Sequence, residues 1–472
     1  MNRVMEPERE VPVFHEADVI VVGGGPAGIG SALAAARNGA KTILIEKANG
    51  LGGMQTQCLN PRFTEVDPDI SGGLVQEIIE RLKYEGAFVR QSSRTSRYKA
   101  VSFDPEYYKY LLDNMMTEAG VKLVYHAFGV GAIKEGNTIK GIVIESKEGR
   151  KVVLGKVVVD STGSAEIAWK SGAACLDQGF PDGPEKGRHM GFVYAVTFRG
   201  VDTEKFEAFR KEHPEEWGAF IGGKSLIKRA KEAGELYGNR GAFYVVPHFS
   251  PGSIWILGPH YGLPLGRTGW ELEDLTKGEI DLRKQAWSAY RLLKNHVPGF
   301  ENSYIDQLPT HLLLRDSRTI LGEYVLTASD MRQGRAFDDA IAISNHAPDV
   351  FGPDAEHEFV GNVPPYDIPY RSLVSKGTDN LLAAGATIST DFITFAATRY
   401  CTPSICTGQA AGTAAALAVR SKVAPKNVDV SLLQKTLVKQ GARTSVKHLA
   451  QAVLDDYQAR IKRARRSSMS PA

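Results

Sequence analysis

Gly23, Gly25 and Gly28, in the run GGGPAG, and Glu46, eighteen residues after the last of them, are the residues of this chain whose types and spacing point most directly to chemistry. The three glycines have separable roles at a dinucleotide site. Gly23 permits a tight turn, Gly25 lets the backbone approach a pyrophosphate, and Gly28 allows a helix to pack closely on the preceding strand. The phosphates then sit over the positive end of that helix. Glu46 stands where an acid accepts hydrogen bonds from ribose hydroxyls and repels a 2′-phosphate. Pro26 and Ala27 lie inside the same motif and belong to the site with it.

These residues work only if strand, turn, helix and second strand follow in that order. Val19 to Val22 supply an apolar strand, Ser31 to Ala36 a small-residue helix, and Thr42 to Ile45 a second β-rich run that ends at the acid. The loop after Glu46, KANGLGGMQTQCLNP, is dense in glycine and amides and is expected to face the ligand. Helical spacing of Leu74, Ile78 and Leu82 predicts a helix over 73–84, and Asp104 with Pro105 predicts a capped helix through about residue 119. Residues 121–125 read as a strand, and 130–153 as a meander of three short strands with turns at EGN and KEGR. Residues 157–159 read as a separate buried strand leading into Asp160, Ser161, Thr162 and Gly163.

From about residue 180 to 369 the pattern is mixed, with a charged helix near 279–296 and strands at 243–247 and 254–257. At 380–386, NLLAAGA, the opening pattern resumes, and Thr402 and Pro403 read as cap and first residue of a small-residue helix through Val419. The chain thus divides into an N-terminal extension (1–16), a first part of the nucleotide-binding domain (17–178), a substrate domain (179–369), a closing segment of the first domain (370–425), and a C-terminal helical segment with a basic tail (426–472). The expected fold class is α/β, a discontinuous Rossmann-like domain with a β-meander plus a mixed α+β domain.

Composition narrows the function classes. With 24% charged and 43% hydrophobic residues over 472 positions, the chain reads as a globular protein of two or three domains. A net charge of +3 selects no nucleic-acid partner, and the RARR tail reads as a solvated end. No window approaches the roughly 18 uninterrupted apolar residues a membrane helix needs. Residues 1–14 do not resemble a secretory signal, so the cytoplasm is the expected location. Cys58, Cys175, Cys401 and Cys406 show neither CxxC spacing nor a nearby histidine pair, so no metal site, iron–sulfur cluster or disulfide framework is expected.

With these pieces placed, the chain resembles the FAD-dependent oxidoreductases of the glutathione-reductase-type flavoprotein fold, in particular a bacterial group related to the flavin subunit of heterodisulfide reductase. The resemblance rests on GGGPAG with Glu46 and Lys47, on LGGM at 51–54, on VVVDSTGSAEIA at 157–168, on RDSRTILGEYVLT at 315–327, and on the segments IPYRSLVSKGTDNLLAAG and RYCTPSICTGQAAGTAAALA. It implies FAD as cofactor. Carried over by motif, Gly23, Gly25, Ala27 and Gly28 bind the pyrophosphate and Glu46 the adenosine ribose, while Gly52, Gly53, Met54 and Thr56 lie along the ribityl chain or ring. Val130, at the start of the meander, touches adenine, and Thr162 and Gly163 pack on the dinucleotide. Gly385 and the helix beginning near Pro403, with Gly408 and Gln409, close over the flavin. Iron–sulfur and thiol chemistry known among relatives does not carry over, because the cysteine groups are missing.

In the segments that border the flavin under this resemblance, the charged residues are His311, Arg315, Arg318, Arg371 and Arg399. Arginine forks suit carboxylates, so Arg315, Arg318 and Arg399 are the candidates for orienting an acidic substrate, and His311 the candidate base. The alternative expectation for Arg315 and Arg318 is a structural network with Asp316, Glu323 or Asp330. Since no second glycine turn with a following acid lies between 170 and 380, a dedicated NAD domain is not expected. The reading placed first is oxidation of a small organic, acidic substrate by hydride transfer to flavin, with a separate electron acceptor. The alternatives are a reductase or monooxygenase served by transiently docked NAD(P)H, and a noncatalytic or RNA-modification-type flavoprotein. Neither a nucleic-acid nor a membrane partner is expected, and a homo-oligomer is left open.

Overall fold

The computed structural model describes residues 4–90, 101–218, 221–238, 240–352, 357–359 and 363–468. The opening strand, Val13–Val22, is apolar and buried on both faces over its second half, which is the signature of a central strand in a parallel sheet. It runs parallel to Thr42–Ile45 on one side and to Gly149–Asp160 on the other, with Val22 opposite both Ile45 and Asp160. The sheet follows the order Lys122–Val124, Thr42–Ile45, Val13–Val22, Gly149–Asp160, Thr138–Ser146, Phe128–Glu135, and Leu381–Ala383 joins it in parallel beside Val158 to Asp160. The fold is α/β, a Rossmann-like parallel half continued by an antiparallel meander.

Two boundaries differ from the sequence reading. Gly149–Asp160 is one strand of 12 residues, not a meander strand followed by a separate buried one. Its first residues are zipped antiparallel to Thr138–Ser146 and its last residues parallel to Leu381–Ala383, so the partner changes without a turn. The meander also begins at Phe128 rather than Val130.

The helix Pro26–Arg37, which follows the glycine turn, packs against the closing helix Cys401–Ser421 with almost no side chain between them. A side chain at Gly408 would be driven into the Ala27 carbonyl, one at Gly412 into the Ser31 carbonyl, and one at Gly30 into the Ile405 carbonyl. This contact explains the run of small residues in both helices. The closing helix starts earlier than expected. Tyr400 is the residue at its N-terminal boundary, Thr402 lies inside the first turn with its hydroxyl on the Thr64 carbonyl at 3.0 Å, and Pro403 is the third helical residue. Proline is tolerated there because first-turn N–H groups have no intrahelical acceptor.

A second, antiparallel sheet runs Ile221–Gly222, Phe243–Pro247, Ile254–Tyr261, Phe192–Arg199, Tyr304–Gln307, with Leu313–Leu314 also paired to Phe192–Arg199. Side chains alternate between its faces. Val196, Phe198, Ile254 and Ile256 pack under the helix Leu272–His296, whose Ala286, Ala289, Leu292 and Leu293 complete that cluster. Val193, Ala195, Val246 and Trp255 face the other way, onto Cys58 and Leu59 of the loop after Glu46, and the Trp255 indole donates to the Leu59 carbonyl. The helix starts seven residues before the expected Glu279 because its first turn is exposed, Leu272 at 81%, and carries no apolar periodicity. The basic tail is helical over most of its length, within Gln451–Ser468, and residues 469–472 lie outside the described residues.

The helix contact is testable. Alanine favours a helix over glycine by about 1 kcal/mol. Gly408→Ala is nevertheless expected to destabilise the protein by about 1–3 kcal/mol, since overlap with the Ala27 carbonyl forces the backbones apart. Gly131→Ala, where an added methyl meets Val143 at 3.9 Å, is the matched control and should be near neutral in denaturant unfolding.

Candidate functional site

The turn and the acid come together at the carboxyl ends of the parallel strands. Gly23 has φ +99°, and its N–H donates to the Ile45 carbonyl at 2.8 Å. A side chain there would overlap Ser161, so glycine is required twice over. Gly25 is the residue before the helix Pro26–Arg37 in extended conformation, no side chain caps that helix, and no acid occupies its first turn. Its first N–H groups therefore face an anion site. A side chain on Gly28 would strike the Gly23 carbonyl, as expected of a helix pressed on its strand.

The loop after Glu46 folds back onto this turn. Gly52 N–H donates to the Gly24 carbonyl at 2.9 Å, and a side chain on Gly53 would come to 2.9 Å from the Gly25 Cα. Met54 packs between the large core of the parallel-sheet domain and the small cluster around Cys58 and Trp255, and the Thr56 hydroxyl donates to the Leu51 carbonyl at 2.6 Å. Glu46 is held by two backbone donors, Gly24 N at 2.5 Å and Ala48 N at 2.7 Å. Each carboxylate oxygen keeps lone-pair capacity for a ribose hydroxyl. Val22, Gly23, Ile45, Glu46, Lys47, Ala127, Phe128, Gly129, Thr162 and Glu166 line one cleft. Lys47 Nζ lies 3.9 Å from Glu166 and 5.9 Å from the Phe128 ring centre. The wall next to the meander is made by Phe128 and Gly129, with Val130 one residue beyond it.

Asp160 anchors the turn that carries Thr162 and Gly163, accepting from Thr162 N and Oγ1 and from Ala168 N at 3.1, 2.7 and 2.9 Å. Its pKa is raised by burial, against those donors. Gly385 closes the far side. Its N–H donates to Thr407 Oγ1 at 3.0 Å, and a side chain there would meet Ala27 and Ser404. Gly408 serves the helix contact, while the Gln409 carboxamide caps the helix Leu74–Tyr84 through Leu74 N at 3.1 Å. A bare turn facing a helix N-terminus, an acid beside a cleft and glycines on three walls fit FAD.

Of the charged candidates, two converge. Arg315 Nη1 and Arg399 Nη2 both lie on Asp349 Oδ2, at 3.4 and 3.1 Å, and Arg399 also donates to the Asp349 carbonyl at 2.8 Å. Arg315 stacks on Phe351, with Cζ 4.0 Å from the ring centre. Burial, together with the neighbouring Arg399 and Arg240 and against Asp349, lowers the Arg315 pKa to about 9. Arg240, which the sequence reading did not single out, lies over the same ring at 5.5 Å. His260 stacks on Phe351 at 6.1 Å, and its Nε2 is 3.0 Å from the Met190 carbonyl. A carbonyl only accepts, so Nε2 carries the proton and Nδ1 presents a buried lone pair without a partner. Burial and the two arginines lower this histidine to about 3.

The other candidates lie elsewhere. Arg318 is held between Trp169 and Trp270, with Cζ at 4.6 and 4.7 Å from the ring centres. His311 meets Thr310 Oγ1, which in turn donates to Gln57, and its pKa is lowered by burial and by Lys47. Arg371 makes a two-pronged contact with Asp339. The four thiols are free, and burial raises each, Cys58, Cys401 and Cys406 to about 12 and Cys175 to about 11. No described helix is long and apolar enough to cross a membrane.

The family described as FAD dependent oxidoreductase matches residues 18–437. A stretch of 49 residues is 51% identical to dihydrolipoyl dehydrogenase of Trypanosoma brucei brucei, and it spans 10% of this chain and 10% of that enzyme. Among solved structures, a geranylgeranyl bacteriochlorophyll reductase-like protein of Thermoplasma acidophilum is similar over 95% of this chain and 88% of its own, at 16% identity and TM-score 0.47. The p-nitrophenol 4-monooxygenase of Pseudomonas putida DLL-E4 is similar over 94% and 84%, at 11% identity and TM-score 0.41.

Beside the site, His189 lies between Asp177 at 3.0 Å and Asp316 at 3.3 Å. Burial would lower its pKa, but the two carboxylates outweigh it and push it up to about 9. A raised folded-state pKa stabilises fully below the unfolded value near 6.5 and ceases to do so as pH rises through about 9. The unfolding free energy of the native protein should therefore exceed that of His189→Gln by about 1–3 kcal/mol at pH 6. Denaturant titrations should show that gap closing by pH 9.5, and a gap constant with pH would contradict the assignment.

Proposed function

The chain belongs to the FAD dependent oxidoreductase family, and from that premise we propose that it oxidises a small organic acid whose anionic group is held by Arg315 and Arg399. The carrying observation is their convergence on one buried carboxylate, Asp349, with Nε of each buried and without an acceptor. A guanidinium retains donors after one ion pair, and burial makes leaving them unmade costly. A substrate carboxylate satisfies both. When bound, FAD supplies the two-electron acceptor for such an oxidation. The chain supplies the rest. Arg399 sits immediately before the closing helix and is fixed by the Asp349 backbone as well as its side chain, so it positions the anion rigidly. His260, neutral and with its tautomer fixed by the Met190 carbonyl, offers Nδ1 as a hydrogen-bond acceptor that orients a substrate donor. With its pKa lowered to about 3 it does not hold the released proton. His311, which stands with Thr310 and Gln57 and within electrostatic reach of Lys47 and Glu46 at the cleft, keeps its place as the candidate base.

The test is anaerobic bleaching of the flavin by separate panels of hydroxy acids, amino acids, polyols and NAD(P)H. One class of organic acid is expected to bleach it, and bleaching by NAD(P)H alone would overturn the proposal. Arg315→Gln should keep its flavin and lose about 10–100-fold in kcat/KM. Because His260 is neutral down to about pH 3, it should contribute no acid limb near 6.5. His260→Gln should cost about tenfold in kcat/KM through the lost hydrogen bond to substrate.

A further inference from the structure

Cationic side chains crowd around Phe351. Arg240 and Arg315 lie over its ring, Arg315 and Arg399 share Asp349, and no described carboxylate pairs with Arg240. Arg240 makes one hydrogen bond, from Nε to the Ala242 carbonyl at 3.1 Å. Among the described residues, three guanidinium groups gather here and the one carboxylate paired with any of them is Asp349. Asp316, next to Arg315 in the chain, does not pair with them directly: it accepts from Met190 N at 2.7 Å, pairs with His189 and reaches Arg399 only electrostatically. Nor does His260 add or remove charge while neutral. Each of the three arginines also has one nitrogen fully buried without an acceptor: Arg240 Nη1, Arg315 Nε and Arg399 Nε. Buried cationic donors without acceptors are costly, and here they occur on three side chains from three separate segments, two over the Phe351 ring and the third on the Asp349 carboxylate that Arg315 shares.

We propose that the substrate is a dicarboxylate, one carboxylate held by Arg315 and Arg399 and the second by Arg240, which makes Arg240 the residue that selects a doubly charged acid. The proposal rests on the reading of the Arg315 and Arg399 pair as the substrate's anion site and extends it. Two separate planar forks suit two carboxylates better than one compact dianion. Arg315 and Arg399 are tied to Asp349, whereas Arg240 is tied to the backbone at Ala242, so the two binding points are anchored independently. The aromatic face of Phe351 holds both Arg240 and Arg315 without consuming an N–H edge, which leaves the edges for the ligand.

The experiment uses the FAD-loaded protein and reads binding, by perturbation of the flavin spectrum and by thermal shift. Malonate, succinate and glutarate are titrated against propionate, butyrate and pentanoate, with inorganic phosphate as a third arm. One dicarboxylate is expected to bind roughly tenfold or more tightly than the monocarboxylate of comparable length. Arg240→Gln should erase that preference and leave monocarboxylate binding within about twofold, while Arg240→Lys should retain part of it. Equal binding of mono- and dicarboxylates by the native protein, a preference that survives Arg240→Gln, or phosphate binding above every dicarboxylate would each overturn the proposal. Should Arg240→Gln not fold, the native-protein comparison and Arg240→Lys decide. Failure of Arg315→Gln to weaken either ligand class would instead overturn the underlying anion site, so the two readings fail by different results.

Discussion

Direct contact between two helix backbones is the constraint on which the rest of this structure depends. The helix after the glycine turn and the closing helix meet where Gly30, Gly408 and Gly412 leave no side chain between them. The first carries the phosphate-facing turn at its N-terminus, and the second begins directly after Arg399 and Tyr400. The spacing between the glycine turn and Arg399 is therefore set by main-chain packing, which has few ways to relax. Gly385 extends the same rule to the strand Leu381–Ala383, because it fits between Ala27 and Ser404 only without a side chain.

Around that contact the two sheets divide the work. The parallel sheet presents backbone donors at its carboxyl edge, while the antiparallel sheet seats one apolar face on the loop that follows Glu46. The strand Ile254–Tyr261 brings His260, and segments beside the sheet bring Arg240 and Arg315, toward Asp349 and Phe351. Burying cations in this way is unfavourable in isolation. Asp349, the Phe351 face and the Met190 carbonyl offset part of the cost, and the donors still without acceptors are what make the region read as a binding site.

The nucleotide half was legible in the sequence because its information is local. Gly23, Gly25, Gly28 and Glu46 lie within one strand–turn–helix–strand unit, where spacing and backbone conformation are tied. Asp104 and Pro105 were legible for the same reason, and Asp104 accepts from Glu106 N and Tyr107 N. The anion pole was legible only in part. Arg315 and Arg399 were singled out, but Arg240, His260, Asp349 and Phe351 come from distant segments and carry no periodic or spacing signal. Arg318, three residues from Arg315, was grouped with it. Strand pairing with Cys175–Asp177 takes it instead to Trp169 and Trp270. Gln409 shows a further limit, since an amide in a small-residue helix gives no sign that it caps a helix more than three hundred residues earlier. Thr402 and Pro403 imitated a cap and first position because proline is tolerated anywhere in a first turn.

The discontinuity of the nucleotide site also has a consequence for how the protein is made. Residues 18–46 are synthesised hundreds of residues before the strand Leu381–Ala383 and the helix Cys401–Ser421 that complete their packing. Until then the small-residue face of the first helix has no partner, and the nascent chain must carry it exposed. The antiparallel sheet between residues 192 and 314 needs no such wait, since its strands and the helix over them are contiguous in synthesis. The nucleotide-binding half therefore cannot complete its packing before translation has passed the closing helix.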